Sequence, residues 1–91
     1  MKRYIIERQI SGVGNLNPQQ LKDAAATSNS ALAKLEGRAQ WVESYVVNDQ
    51  TYCIYLADNE EAVHEHSRLS GFPANKVTEV RGVISPMTAS A

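Results

Sequence analysis

Residues 39–57, AQWVESYVVNDQTYCIYLA, decide the fold. Two stretches rich in aromatic and β-branched residues, 39–47 and 51–57, flank Asn48-Asp49-Gln50. Such stretches favour strands and the polar triplet favours a turn, so the segment reads as a β-hairpin. Period-two alternation puts Trp41, Glu43, Tyr45, Tyr52, Ile54 and Leu56 on one face. It puts Val42, Ser44, Val46, Cys53, Tyr55 and Ala57 on the other. Neither set is polar enough to stand in water, so both faces should be covered. The smaller set is expected to face the helices.

Upstream of the hairpin lies a helix with clear ends. Asn17 is a good capping residue, Pro18 suits the first helical position, and Gln20 can bond back to the cap. Leu21, Ala24, Ala25, Ser28, Leu32 and Leu35 fall on one helical face, and Gly37 can end the run in a left-handed conformation. The spacing predicts a helix over 18–36. Before it, residues 3–10 (RYIIERQI) read as a strand, joined by a loop carrying Gly12 and Gly14.

Downstream, Asp58-Asn59 starts a second helix with Glu60 and Glu61 in its first turn, where the helix dipole favours anions. Gly71 and Pro73 stop it. Residues 76–84 (KVTEVRGVI) predict a last strand. The order is βαββαβ: an α+β, ferredoxin-like domain with a four-stranded antiparallel sheet and both helices on one face. The other face has no helix to cover it. A second copy is the simplest cover, giving a dimeric α/β sandwich or barrel.

The rest of the chain agrees with a single small domain. It has 91 residues, 43% apolar and 21% charged, with a net charge of −1. Residues 1–84 form the expected domain, and 85–91 (SPMTASA) an expected flexible tail. No basic run suggests nucleic acid or an anionic membrane. No apolar run approaches a membrane span, and Met1-Lys2-Arg3 is not followed by a signal-peptide core. The single cysteine, Cys53, excludes an internal disulfide. A cytoplasmic homodimer is the expectation.

Three sets of residues are candidates for chemistry. Glu7 and Glu43 lie in otherwise apolar strands, so each needs an ion-pair partner, a proton or a cation. Glu79, Arg81 and Arg8 offer pairing for strand charges, and a ligand role is the alternative. In Val63-His64-Glu65-His66, helical spacing places His66 between Val63 and Leu69 on the core side, with His64 outward. Histidines two apart do not share a helix face, so this is not a metalloprotease pair. Trp41, Tyr45, Cys53 and Tyr55 could line a pocket, although Cys53 has no basic neighbour and core filling is the favoured reading.

The strand Tyr4-Ile5-Ile6-Glu7-Arg8, the hairpin residues Trp41–Tyr45 and Thr51–Tyr55, and His66-Ser67-Arg68-Leu69-Ser70-Gly71-Phe72-Pro73-Ala74 resemble a bacterial family of small domains of unknown function. The resemblance covers the chain to about residue 84, and one branch of that family is described as nickel-binding. It implies a ferredoxin-like fold, usually dimeric, with no established enzyme activity. It also implies metal ligands at the positions of Glu7, Glu43 and His66, where that branch carries histidines; this chain keeps only His66. A mixed carboxylate and imidazole set would hold nickel, zinc, iron or manganese with little preference.

Two functions follow as expectations. The first is a dimeric ligand-binding protein, holding a divalent transition metal through Glu7, Glu43 and His66, with His64 assisting. The second is a small dimeric α/β-barrel enzyme of oxygenase or isomerase type, with a glutamate base in an aromatic pocket.

Overall fold

The computed structural model describes residues 1–90. Strand β1 (Lys2–Gln9) leads through a one-turn 3₁₀ helix (Val13–Asn15) to helix α1 (Pro18–Ala33). The hairpin β2 (Ala39–Val46) and β3 (Gln50–Ala57) follows, then helix α2 (Glu60–Ser70) and strand β4 (Lys76–Glu79). The four strands form one antiparallel sheet in the order β2-β3-β1-β4. This is the expected ferredoxin-like α+β architecture.

Both helices start where the sequence puts them. The Asn17 side chain accepts from the Gln20 amide and the Gln20 side chain accepts from the Asn17 amide, each at 2.9 Å. Asn59 caps α2 through the Ala62 amide at 2.9 Å. The ends differ from expectation. Helix α1 stops at Ala33 rather than residue 36, because Lys34 and Leu35 donate to carbonyls three residues back and tighten the last turn. Glu36 and Gly37 then take left-handed angles, φ 52° and 84°. Strand β4 ends at Glu79 rather than residue 84. Glu79 pairs with Tyr4, so β1 has almost no strand left for a longer β4 to meet. Of the expected tail, Pro86–Ser90 forms a 3₁₀ turn and Ala91 lies outside the described residues.

One irregularity repositions the hairpin. The pairing of β2 with β3 shifts between Trp41 and Glu43, so Val42 is an extra residue in β2. Before the bulge, Ala39 and Trp41 share the helix side with Ala57 and Tyr55. After it, Ser44 and Val46 do, and Glu43 and Tyr45 turn outward with Ile54 and Tyr52. The smaller set of β3 (Cys53, Tyr55, Ala57) faces the helices as expected, but Trp41 crosses to join it and Val42 is exposed.

The core lies between that face and the helices. Tyr4, Ile6, Leu35, Cys53, Tyr55, Ala57, Ala62 and Val63 form it. The buried stripe of α2 is Ala62, Val63 and His66; Leu69, expected on the core side, is 40% exposed.

Candidate functional site

A cavity of about 240 Å³ separates the sheet from the first half of α1. Its origin is local. Only Ser28 and Ala31 of α1 are buried, while Ala24 and Ala25 are half-buried and Leu21 is exposed, so the helix meets the sheet closely only near its C-terminal end. The β1–α1 connection forms the end wall. It is tied to the β2–β3 turn by Ile10 N–H to Asp49 O (3.0 Å), Gly12 N–H to Asp49 Oδ1 (2.8 Å) and Gly14 N–H to Asn48 O (2.9 Å). From there Ile10, Val13 and Leu16 reach the cavity, facing Leu21, Ala24 and Ala25. Trp41, Ser44, Val46 and Cys53 line the sheet side, and the remaining polar groups come from Arg8, Ser28, Thr51 and Tyr55. Trp41 is held by its indole N–H, which donates to Ser44 Oγ at 2.9 Å.

Arg8 is the unusual member. It is 2% exposed, on the helix side of β1 beside Tyr4 and Ile6. Its Nη1 donates to Pro73 O at 2.8 Å and Phe72 O at 3.3 Å. Its guanidinium carbon lies 5.9 Å from the Tyr55 ring centroid and 6.0 Å from that of Phe72, both cation–π distances. No ion pair reaches it among the described residues, and its buried Nη2 has no hydrogen-bond partner there. The Gly71-Phe72-Pro73-Ala74 stretch thus serves Arg8: Gly71 ends α2 at φ 81°, and the chain after it supplies the carbonyls and the ring. Sequence reasoning assigned Arg8 to ion pairing and missed this role. The signal was its parity with Tyr4 and Ile6 in β1.

His66 is buried at 1% exposure, beside Tyr55, with ring centroids 5.0 Å apart. Its Nε2 lies 3.3 Å from the Ser28 carbonyl and 3.2 Å from Ser28 Oγ, which in turn meets Tyr55 Oη at 3.1 Å. A carbonyl only accepts, so Nε2 carries the proton and Nδ1 keeps a lone pair, without a partner among the described residues. Burial pushes the His66 pKa below its usual value; the Ser28 carbonyl opposes this and the Arg8 charge adds to it. Burial likewise raises the Tyr55 phenol.

A pH dependence follows. Between the lowered folded-state pKa and the ordinary value near 6.5, the unfolded chain binds a proton that the folded chain refuses. Stability therefore falls as pH drops through that window, and this contribution levels off below it. Melting temperatures measured from pH 7.5 to 4.5 should show this slope in the wild type and lose it in His66→Gln, whatever that variant's absolute stability. An unchanged slope in His66→Gln would rule out His66 as its source.

The expected metal residues divide between the two sides of the sheet. Glu7 and Glu43 lie on the bare face: Tyr45, Tyr52, Glu7 and Lys76 make one cross-strand row, and Glu43, Ile54, Ile5 and Thr78 the next. The two glutamates are two strands and one row apart, about 12 Å between their backbone positions. Glu7 accepts from Gln50 Nε2 at 3.3 Å, and Glu43 accepts from the Tyr45 hydroxyl, which raises the tyrosine's pKa. His66 is on the opposite side, within the core. His64 is exposed and meets only Glu60, at 3.4 Å. Among the described residues no three His, Cys, Asp or Glu side chains gather to hold a metal, so one chain does not assemble the expected set.

The ion pairing offered for the strand glutamates is also different. Glu79 pairs with Arg81 (3.5 Å) and Lys2 (3.9 Å), and Arg8 is on the other face. Of the expected pocket residues, Trp41, Cys53 and Tyr55 line the cavity, and Tyr45, turned outward by the bulge, does not. Neither Glu7 nor Glu43 reaches the cavity, so the expected glutamate base has no place in it.

Comparison with known proteins is consistent with this fold. The structure is similar to the crystal structure of SCO4226 from Streptomyces coelicolor A3(2), with a TM-score of 0.74 at 15% identity, over 90% of this chain and 99% of that one. No curated protein matches the sequence. No helix among the described residues is long and apolar enough to cross a membrane. The family model described as nickel responsive protein, SCO4226-like, matches residues 4–80, and the chain belongs to that family.

Proposed function

We propose that this chain is a small-ligand-binding protein acting as a homodimer, with its organic ligand in the cavity between sheet and α1. The carrying observation is that cavity: about 240 Å³, with walls that are almost wholly apolar. A cavity of about 150 Å³ already holds a benzene ring, so this one has room for a single ring with a short side chain. Dimerisation is supported by the bare face, where Ile5, Ile54 and Leu56 lie among the exposed Tyr45 and Tyr52. The buried free thiol of Cys53 suits a reducing, cytoplasmic compartment.

The protein's own Trp41 reports on the cavity, being the only tryptophan in the chain. Small neutral aromatics such as benzyl alcohol should change its fluorescence saturably. Ala25→Phe, which puts a ring into the cavity, should abolish the change. Failure of every small aromatic to bind the folded wild type would sink this reading.

A second reading is favoured by the family's description and by the two carboxylates on the bare face. In a dimer joined through that face, Glu7 and Glu43 of two copies would be buried together, and a divalent ion such as nickel would neutralise them. Lys76, opposite Glu7, is the competing neutraliser. Nickel calorimetry should then lose its heat in Glu7→Gln and Glu43→Gln and keep it in His66→Gln. Heat that survives both glutamate changes would rule this out.

A further inference from the structure

We infer that the segment after β4 is a dimer arm: Val83, Ile84 and Met87 of each copy are buried against a second copy at the rim of the bare sheet face. The inference rests on the proposed homodimer and adds a contact that holds it together. After Glu79 the chain leaves the sheet. Val80 N–H still donates to the Arg3 carbonyl at 2.8 Å, which continues the alternation and puts Val80 on the bare-face side with Thr78 and Ile5. The arm therefore departs from a corner of that face. Along it, Val83, Ile84 and Met87 are 73%, 85% and 74% exposed, the highest values for large apolar side chains among the described residues. Their own chain gives them almost no cover, and grouped apolar exposure of this kind marks an interaction surface.

The arm is also shaped before it meets a partner. Ser85 N–H donates to Thr88 Oγ1 at 2.8 Å, Thr88 N–H to Ser85 O at 2.9 Å and Met87 N–H to Ser85 Oγ at 3.2 Å. These bonds fix the turn between Ile84 and Met87, so less order has to be gained on docking. The size of the bare face says why an arm is needed. Its three long strands have 8 residues each and β4 only 4. At about 3.4 Å per residue and about 4.8 Å per strand, the face is a plane of roughly 500 Å² at most. Two such faces bury about 1,000 Å², at the weak end of specific interfaces, for which about 1,600 Å² is standard. Three large apolar side chains on each of two arms add the area that the faces lack. The arm lies beyond the family match, which ends at residue 80, so this contact belongs to this chain rather than to the shared domain.

Sedimentation equilibrium of the full, untagged chain tests the inference. The wild type should be dimeric. Ile84→Asp should weaken the dimer roughly tenfold per arm, or about a hundredfold for two arms. Met87→Asp should act in the same direction, and Ile84→Leu should keep the wild-type affinity. The aspartate variants should show the wild-type circular dichroism, because the replaced side chains are exposed in a single chain. A wild-type dimer whose affinity is unchanged in both aspartate variants overturns the arm and leaves the homodimer standing. A wild-type monomer overturns both. Binding of such a monomer to vesicles of an anionic phospholipid would give the arm, with Arg81 and Lys2 both paired to Glu79 at its base, a lipid surface in place of a second copy.

Discussion

Leu35→Ala is expected to destabilise the protein by about 2–5 kcal/mol, the range for emptying a fully buried leucine site. Leu35 has no exposed surface and packs in the central core cluster, in the tightened turn that ends α1. A domain of this size has a total stability of about 5–15 kcal/mol, so the loss is a large share of it. At about 4–8 °C per kcal/mol, the melting temperature should fall by more than about 8 °C. Leu21→Ala is the control. Leu21 is 40% exposed at the cavity, and its truncation should cost less than about 1 kcal/mol. Equal losses in the two variants would mean that α1 is not anchored at its C-terminal end.

Gly14→Ala should be the next most damaging single change, and it should disturb the cavity as well as the fold. A Cβ at residue 14 would sit 2.5 Å from Val47 O, 2.9 Å from Asn48 Cα and 3.0 Å from Asn48 O. All three are backbone atoms of the hairpin turn, so no side chain can swing aside. The β1–α1 connection must lift, stretching the Gly14 N–H to Asn48 O bond and carrying Val13 and Leu16 away from the cavity. A cost of about 3 kcal/mol is expected. Gly12→Ala separates clash from backbone strain: Gly12 has φ 74° but nothing near its Cβ position, so it should cost only about 1 kcal/mol. Thermal unfolding gives the stability order, and benzyl alcohol titration against Trp41 should show weakened binding in Gly14→Ala alone. Equal effects of the two substitutions would mean that close approach to the turn is not what residue 14 provides.

These two sites frame the same design. The C-terminal half of α1 is pinned to the sheet through Leu35, Ala31 and Ser28. The other end is spaced by a loop whose one close contact requires glycine. The cavity is what remains between them, and His66, Ser28 and Tyr55 form the polar layer where the packed and open halves meet.

The sequence by itself determined the elements, their order and their starts. Asn17-Pro18 and Asn59 carry their capping information within one helical turn, and Gly37 and Gly71 are needed where the backbone turns left-handed; all of this is local chemistry. It also carried the family, through short stretches of side chains. What it did not determine was which residues face each other. The extra residue at Val42 changes the parity of β2 partway along, sending Trp41 inward and Tyr45 and Glu43 outward, and a bulge leaves little trace in a pattern already apolar on both faces. Arg8 was an ion-pair candidate for the strand glutamates in the sequence and became a buried cation on the other face in the fold. The Phe72 and Pro73 carbonyls that hold it are 64 and 65 residues away, and only the sheet and the end of α2 bring them together. Tertiary structure alone decided that Glu7 and Glu43 lie across the sheet from His66, because strand alternation sets a side chain's face but only packing decides which face the helices cover.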